Sequence, residues 1–240
     1  MIEIEIRHLG DHEILHAMPA GKRDKPLPAV VFYHGFTSSK LVYSYFAVAL
    51  AQAGFRVVMP DAPDHGPRFM GNEQARLEQF WQILHGSLTE FAGLRDALYE
   101  AGLVADNRLA VAGASMGGMT ALGIMTHHPE VTSVACLMGS GYFTSLAKTL
   151  FPPQDLTEMT ATLAEWEVTR ALPRVADRPL LRWHGDADDV VPPEGTFRLQ
   201  QALMNEGLDG NLTCLWESGV RHRITPTALD ATVAFFHQHL

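Results

Sequence analysis

Hydrophobic and polar residues alternate strictly at the start of the chain. Ile2, Ile4 and Ile6 are separated by charged residues, and a second mostly apolar stretch covers 13–18, with Gly10 in between. A period of two residues predicts β-strands, and the intervening glycine predicts a turn. The chain is therefore expected to open with an antiparallel hairpin.

From residue 29 onward, short apolar runs alternate with longer segments of helical period. This alternation is typical of parallel βαβ units that have helices on both faces of the sheet. With the hairpin, it predicts a single α/β domain over 1–240 with an eight-stranded sheet, the last six strands mostly parallel. The six later strands are predicted at 29–33, 56–59, 108–112, 133–138, 179–183 and 212–216, and the helices at 41–53, 72–101, 116–127, 194–206 and 226–238.

One connection is longer than the pattern requires. Between the strands ending at 138 and starting at 179 lie about 40 residues, where a minimal parallel crossover needs about a dozen. A small excursion at about 140–178 is therefore predicted, and it contains apolar residues at helical spacing. The pattern leaves open whether this segment covers a substrate as a lid or completes the core.

Composition limits the partners more than the fold. The chain has a net charge of −9 and no cluster of Lys or Arg, so neither nucleic acid nor an anionic membrane is expected to bind it. No apolar run approaches a membrane span, and the acidic N-terminus is unlike a secretory signal. A cytoplasmic protein is expected, with its oligomeric state open. Cys136 and Cys214 fall in predicted strands and are expected to be buried, reduced thiols.

A candidate nucleophile lies between a predicted strand and a predicted helix. Residues 113–117 read Gly-Ala-Ser-Met-Gly and match G-x-S-x-G. A serine on a tight strand-to-helix turn is exposed as a nucleophile, and the crowded backbone favours glycine two positions before and after it. Ser115 is therefore predicted to be catalytic, with Gly113 and Gly117 permitting the turn.

A serine nucleophile needs a base, and the base needs an acid to orient it. In this architecture both follow the nucleophile and lie after later strands. His222 is in the loop after the last predicted strand, which predicts it as the base. Three aspartates, Asp186, Asp188 and Asp189, follow the strand at 179–183, and spacing alone does not choose among them.

Four segments resemble the α/β-hydrolases of the dienelactone hydrolase-like and prolyl oligopeptidase-like branch, and the resemblance covers essentially the whole chain. The family pattern H-G-x-x-D-x-x-V-P falls on 184–192, which selects Asp188 as the acid. In dienelactone hydrolases proper the nucleophile is Cys, so the Ser in this chain implies an esterase instead. The matching segments are 32–39, 59–66, 113–118 and 184–192.

Ester cleavage also requires two N–H donors for the oxyanion of the intermediate. The backbone N–H of Met116, directly after the nucleophile at a helix N-terminus, is one candidate. The resemblance implies Phe36 N–H as the second, in the His34-Gly35-Phe36 turn. A small substrate pocket is predicted around this turn, and its further members are Tyr142, Phe143 and Trp166.

Cofactors and metals are not expected. There is no dinucleotide fingerprint or P-loop, and His8, His12 and His16, four residues apart, fall in strands rather than on one helix face. Asp61, Asp64 and His65 are expected to serve a turn.

The sequence thus predicts a serine carboxylesterase for small-molecule, short-chain esters. Two alternatives remain: the same residues could serve a thioesterase, deacetylase or small peptidase, or the fold could be a catalytically silent binding module.

Overall fold

The computed structural model describes all 240 residues and contains one eight-stranded sheet. The strand order across the sheet is β1-β2-β4-β3-β5-β6-β7-β8. The strands are β1 (Ile2–Leu9), β2 (His12–Pro19), β3 (Leu27–Tyr33), β4 (Arg56–Pro60), β5 (Val104–Ala114), β6 (Ser133–Leu137), β7 (Leu180–Gly185) and β8 (Leu212–Glu217).

Nine α-helices connect or flank these strands, together with 3₁₀ turns at Gly66–Arg68 and Val168–Arg170. The helices are α1 (Ser44–Gln52), α2 (Glu73–Glu78), α3 (Phe80–Glu100), α4 (Met116–His127), α5 (Phe143–Leu146), α6 (Leu156–Ala164), α7 (Leu172–Ala176), α8 (Glu194–Asn205) and α9 (Pro226–His239). None of them combines the length and apolar character that a membrane crossing requires.

The predicted sheet is confirmed. β1 and β2 pair antiparallel, β2 pairs antiparallel with β4, and the six strands from β3 to β8 are mutually parallel. All six therefore end at the same edge of the sheet, so the loops after β3, β5, β7 and β8 can meet there.

Alternate residues of each central strand face opposite layers of the core. In β3, Val31 and Tyr33 join the layer under α3 and α4, whereas Val30 and Phe32 join the layer under α1 and α9. Phe32 stacks on Phe46 of α1 with ring centroids 4.3 Å apart. Burying a side chain of this size contributes about 1.5–3 kcal/mol, so the sheet is stabilised from both faces.

Two predicted elements differ in detail. The helix expected at 72–101 is interrupted at Gln79 (φ −108°, ψ 19°), which separates α2 from α3. The interruption lets Phe80 and Trp81 begin the buried face of α3 while α2 lies over the surface. Strand β5 starts at Val104, earlier than predicted, because Val104 already pairs with Leu27 of β3. The pairing then shifts register across a polar stretch in which Asp106 and Asn107 have positive φ values of 51° and 56°.

The excursion at 140–178 forms short helices that are partly built into the core. Phe143, Leu163 and Val168 are fully buried in the layer under α3 and α4. These side chains therefore complete the core, and whether any of the segment moves as a lid stays a prediction.

The N-terminal histidines do not converge. His16 is fully buried, where its Nδ1 lies 3.0 Å from Glu5 Oε1 and its Nε2 contacts the Arg56 guanidinium. No group of three or more His, Cys, Asp or Glu side chains is arranged to hold a metal ion. Both cysteines are free; Cys136 is buried and Cys214 is half-buried.

A buried arginine closes the C-terminal end of α4. The Arg178 guanidinium donates to the carbonyl oxygens of Met125 (2.7 Å), His128 (2.9 Å), Val131 (2.9 Å) and Arg174 (2.7 Å). Carbonyls at a helix C-terminus have no partner inside the helix, and a cation also complements the helix dipole. Arg178 therefore fixes the C-terminal end of the helix that begins directly after Ser115.

Replacing this arginine is expected to destabilise the fold. Arg178→Met leaves several buried carbonyls without a donor and should lower the free energy of unfolding by about 3 kcal/mol. Urea unfolding followed by circular dichroism measures it. Arg174→Met is the matched control, because Arg174 is exposed and its guanidinium makes one bond, to Thr126 O. Equal effects of the two substitutions would contradict this assignment.

Candidate active site

Ser115 occupies the turn between β5 and α4. Its backbone has φ 57° and ψ −118°, which a non-glycine residue seldom adopts. Its N–H donates to Leu137 O at 2.9 Å, which holds the turn against β6. Strain of this kind persists only where the surroundings enforce it, and here it exposes the hydroxyl.

The surroundings that enforce the turn are backbone atoms. A Cβ built on Gly113 would lie 2.1 Å from Gly117 O, and one built on Gly117 would lie 1.9 Å from Tyr33 O. No side chain fits at such distances. The two glycines of the sequence motif are therefore required by the close approach of α4 to the end of β3.

Ser115, His222 and Asp188 form one hydrogen-bonded series. Ser115 Oγ lies 2.9 Å from His222 Nε2, and His222 Nδ1 lies 2.8 Å from Asp188 Oδ2. The Asp188 side chain is fully buried and the His222 side chain is 18% exposed. The structure thus brings together the three residues predicted from the sequence in the order that nucleophilic catalysis requires.

Two loops carry the acid and the base, and they are tied to each other. The acid loop is residues 185–189 and the base loop is residues 218–222. Ala187 N–H donates to Val220 O at 3.1 Å, and a Cβ on Gly185 would lie 2.2 Å from the same oxygen. The base loop after the edge strand β8 is therefore packed directly on the acid loop after β7.

The other two aspartates of the acid loop reinforce this connection. Asp186 accepts from Gly219 N–H at 2.7 Å, and Asp189 pairs with the exposed Arg221 guanidinium. The flanking arginine therefore has a partner within the protein. Each of the three aspartates that the sequence left as candidates has a different task.

Asp188 is held as a carboxylate. Burial alone would raise its pKa, but hydrogen bonds from His184 and His222 and from the backbone N–H of Val190 bring the pKa well below its usual range. Oδ1 accepts from the N–H groups of Val190 (2.9 Å) and Val191 (3.0 Å), which leaves Oδ2 facing the histidines. The acid therefore stays an acceptor for the His222 N–H at every ordinary pH.

Two backbone N–H groups are free beside the serine. Neither Phe36 N–H nor Met116 N–H donates to any acceptor in the protein. Met116 begins α4 directly after Ser115, and Phe36 lies in the turn after β3, where a Cβ on Gly35 would lie 3.6 Å from Ser115 Cβ. Free N–H groups on both sides of a nucleophile are the arrangement that stabilises an oxyanion.

The oxyanion loop, residues 34–37, is fixed to the loop after β4. His34 is buried; its Nδ1–H donates to Gly35 O at 2.7 Å, and its Nε2 accepts from Ala62 N–H at 3.0 Å. Lys40, shortly after this loop, is bound to the loop after β4 as well. Its backbone N–H donates to Asp61 at 2.9 Å, and its ammonium pairs with the same carboxylate. His34 therefore supports the site from inside the protein.

His65 holds the other side of the oxyanion loop. It is fully buried; its Nε2 accepts from Thr37 N–H at 2.8 Å, and its Nδ1–H donates to Pro63 O at 2.9 Å. The imidazole packs edge-on against the Phe36 ring at 5.4 Å. His65 therefore serves a turn, as expected, through its bond to Pro63 O. Its second bond, to Thr37 N–H, fixes the residue next to Phe36.

An apolar cavity of about 220 Å³ opens beside Ser115. Three aromatic rings form one wall: Phe36 lies 4.9 Å from Phe80 and 5.3 Å from Phe151 between ring centroids. No Asp, Glu, Lys or Arg side chain borders it. The lining residues are Phe36, Thr37, Leu77, Phe80, Ser115, Leu150, Phe151, Val190, Val191 and His222.

The predicted pocket residues of the excursion lie elsewhere, which corrects the sequence prediction. Phe143 is fully buried in the core, Trp166 stacks on His127 at 3.8 Å, and Tyr142 lies under the Arg198 guanidinium at 4.1 Å. Their helical spacing serves packing, as it does in most helices. The excursion supplies Leu150 and Phe151 to the cavity instead.

His34 and Gly35 also do not line the cavity. His34 is turned inward by its two hydrogen bonds, and Gly35 lies behind Ser115 as a point of close backbone approach. The cavity residues come from six separate segments of the chain, and no sequence pattern indicated Leu77, Phe80 or Val190. A positive φ of 44° at Phe151 is a local peculiarity visible only in the structure.

The sequence model of the prolyl oligopeptidase family matches residues 41–240 of this chain. The chain belongs to the prolyl oligopeptidase family. It is thus a hydrolase, and its fold is the α/β-hydrolase fold that the sequence motifs implied.

Individual relatives agree with this assignment. The chain is 61% identical to Esterase YjfP of Escherichia coli (strain K12), over the full length of both proteins. Among solved structures, TT1662 from Thermus thermophilus superposes with a TM-score of 0.79 at 23% identity, covering 99% of this chain and 98% of the other. A puromycin-hydrolyzing peptidase of Mycobacterium tuberculosis superposes with a TM-score of 0.73 at 22% identity, and the match covers 99% of this chain but 40% of that one. The two structural matches show the shared fold.

This member of the family is expected to lose stability in mild acid. Burial lowers the pKa of His34 and of His16 to about 4, and it also lowers the pKa of His65. All three are neutral when folded but take up protons near 6.5 when unfolded, so their contribution is complete above about pH 6.5 and is lost as the pH falls toward about 4. Urea midpoints between about pH 7.5 and about pH 4.5 should fall accordingly.

His65→Gln provides the control for this decline. The amide oxygen of Gln can accept from Thr37 N–H but does not titrate, so the variant should show a shallower loss of stability with falling pH. A wild-type midpoint that stays constant down to about pH 4.5 would contradict the assignment of these histidines as neutral.

Proposed function

We propose that the protein is an esterase that hydrolyses esters with short, uncharged acyl chains through an acyl-enzyme on Ser115. The observation that carries this proposal is the Ser115–His222–Asp188 series, which lies between two free N–H groups and an apolar cavity. The full-length similarity to an esterase supports the choice of ester as the bond.

In the first half of the reaction, His222 Nε2 takes the Ser115 proton as the hydroxyl oxygen attacks the ester carbonyl. The charge that develops on the carbonyl oxygen is stabilised by Phe36 N–H and Met116 N–H. His222 then returns the proton to the departing alkoxide, and the alcohol leaves. Asp188 keeps the imidazole oriented and stabilises its positive charge.

In the second half, a water molecule attacks the acyl-enzyme in the same geometry. His222 takes a proton from the water, the oxyanion forms between the same two N–H groups, and the proton is passed to Ser115 Oγ as the acid is released. No cofactor or metal enters either half. Cytoplasmic location and a small-molecule substrate remain part of the proposal.

The cavity supports a preference for short acyl chains. Its volume of about 220 Å³ is below the roughly 300–1,000 Å³ of sites that enclose drug-sized ligands. Its rings and aliphatic side chains offer neither a charge nor a hydrogen bond to an acyl group. A short acyl chain fills such a space, whereas a long one must displace the aromatic wall.

Esterase activity and the role of the serine can be tested together. The wild type should hydrolyse p-nitrophenyl acetate and butyrate faster than the dodecanoate, by at least about tenfold in kcat/KM. Ser115→Ala and His222→Ala should lower kcat by about 10⁴–10⁶-fold, because the nucleophile or its base is lost. The three proteins are prepared identically.

Three outcomes would contradict this proposal. Undiminished turnover by Ser115→Ala would place the chemistry elsewhere. An inactive wild type that nonetheless reacts with a fluorophosphonate at Ser115 would indicate another acyl bond, and turnover of a thioester, an acetylated sugar and a dipeptide would then identify it. No labelling at all would indicate a catalytically silent fold.

Leu77 is expected to limit the length of the acyl chain. It is the only residue of α2 at the cavity, so Leu77→Ala should extend the space toward the surface. The ratio of octanoate to acetate kcat/KM should rise by about tenfold. Met70→Ala is the control, since Met70 is an exposed apolar residue nearby in sequence that does not border the cavity. An unchanged ratio would show that the acyl chain leaves in another direction.

A further inference from the structure

The hydrogen-bonded series does not end at Asp188. Asp188 Oδ2 also lies 3.1 Å from His184 Nε2, His184 Nδ1 lies 2.7 Å from Thr196 Oγ1, and Thr196 Oγ1 contacts the Arg182 guanidinium. All three of these additional side chains are essentially inaccessible to solvent. They come from β7 and α8, so they form a buried continuation of the series on its far side.

The direction of this continuation is determined at both ends. A guanidinium only donates, so Thr196 Oγ1 accepts from Arg182 and directs its own proton to His184 Nδ1. At the other nitrogen, His184 Nε2 faces two acceptors, Asp188 Oδ2 and Val191 O at 3.0 Å, and must therefore carry the imidazole proton. Both ends require the same tautomer of His184.

Asp188 Oδ2 consequently receives two N–H donors, one from His184 and one from His222. The His184 donor has a fixed position because its ring is held by Thr196 and by Val191 O. With Oδ1 bound by the N–H groups of Val190 and Val191 and Oδ2 bound by His184, the orientation of the carboxylate toward His222 is fixed. Because Asp188 Oδ2 also accepts from the second imidazole, its negative charge is divided between two donors, which weakens its hold on the His222 proton.

Arg182 is difficult to explain by packing. It is fully buried, it pairs with no carboxylate, and its Nε and Nη1 have no hydrogen-bond partner in the protein. The titratable groups that face it are Cys136, Tyr142 and Cys214, none of which is an anion at neutral pH. A buried cation without a counter-charge is costly to the stability of the fold. Its Nη2 donates to Gly139 O at 2.5 Å, and its side-chain acceptor is Thr196.

We propose that His184 and Thr196 are positioning residues, oriented by Arg182, that fix the direction and the charge of the Asp188 carboxylate. This inference rests on the proposed function, because it concerns how the same site activates Ser115. Asp189 and its partner Arg221 are the charged groups on the exposed side of the acid loop, and they lie outside the series. The Trp216 ring, stacked on His184 at 6.2 Å, is its uncharged neighbour on β8.

The hydroxyl of Thr196 provides the most selective test. Thr196→Val keeps the shape but removes the proton that holds His184, whereas Thr196→Ser keeps it. We expect Thr196→Val to lower kcat by about 10–100-fold with KM within about twofold, and Thr196→Ser to stay within about threefold of the wild type. Because the carboxylate is no longer shared, the acid limb of the kcat/KM pH profile should move to higher pH in the valine variant only.

A second pair of variants tests the donor itself and keeps the test valid if Thr196→Val fails to fold. His184→Gln can present an amide N–H to Asp188 without help from Thr196, whereas the side chain of His184→Asn is too short to do so. We expect the acid limb to shift in the asparagine variant and to stay in place in the glutamine variant. In the His184→Gln background, Thr196→Val should have no additional effect on kcat.

The proposal is overturned if a folded Thr196→Val or His184→Asn protein keeps both the kcat and the acid limb of the wild type. It is equally overturned if valine and serine at position 196 lower kcat alike, since packing would then explain the loss. The rate at which a fluorophosphonate labels Ser115 measures how strongly the Ser115 hydroxyl is activated, and it requires no ester substrate. A wild type that is labelled but hydrolyses no ester therefore refutes the esterase while leaving the effect of Thr196 measurable.

Discussion

The close approach of α4 to the end of β3 determines the arrangement of the whole site. Gly117 lies so near the Tyr33 carbonyl that no side chain can be added, and Gly113 lies equally near Gly117. This contact places Ser115 in its strained conformation and points the start of α4 at the space above the sheet. It also brings the turn after β3 beside the serine, so one backbone contact determines the nucleophile and both free N–H groups.

Around this rigid centre, polar side chains hold the loops. The oxyanion loop is held by two buried, neutral histidines that accept backbone N–H groups, and the base loop is held by aspartates of the acid loop. Buried polar groups must be paired, so each of these loops has one well-defined conformation. The geometry at Ser115 therefore depends on groups that never meet a substrate.

The sequence predicted the parts of this site that depend on local backbone chemistry. Helix α4 begins and ends where its pattern indicated, and the glycines at 113 and 117 are explained by the turn they permit. His222 followed from its place after the last strand, and Asp188 from the family resemblance. These residues lie together in the structure as the prediction requires.

The substrate cavity could not be predicted in the same way. Its walls meet only through tertiary packing, and aromatic residues at helical spacing, such as Phe143 and Trp166, look the same in a sequence whether they face a cavity or a core. The break at Gln79, which releases Leu77 from the long helix, has no sequence marker such as Pro or Gly. Long-range packing therefore determines which residues line the cavity, and the local hydrophobic pattern carries no information about it.

The base loop has one further property that follows from its position. Ser115 follows a central strand of the sheet, whereas His222 follows β8, the edge strand that has a neighbour on one side only. Edge elements open at lower free energy than the centre of a sheet. On heating, the base loop should therefore detach before the core melts, so the protein would lose its proton acceptor while its circular dichroism is still native. Inactivation of this kind should be reversible on cooling, because the folded centre remains in place and the loop can close on it again.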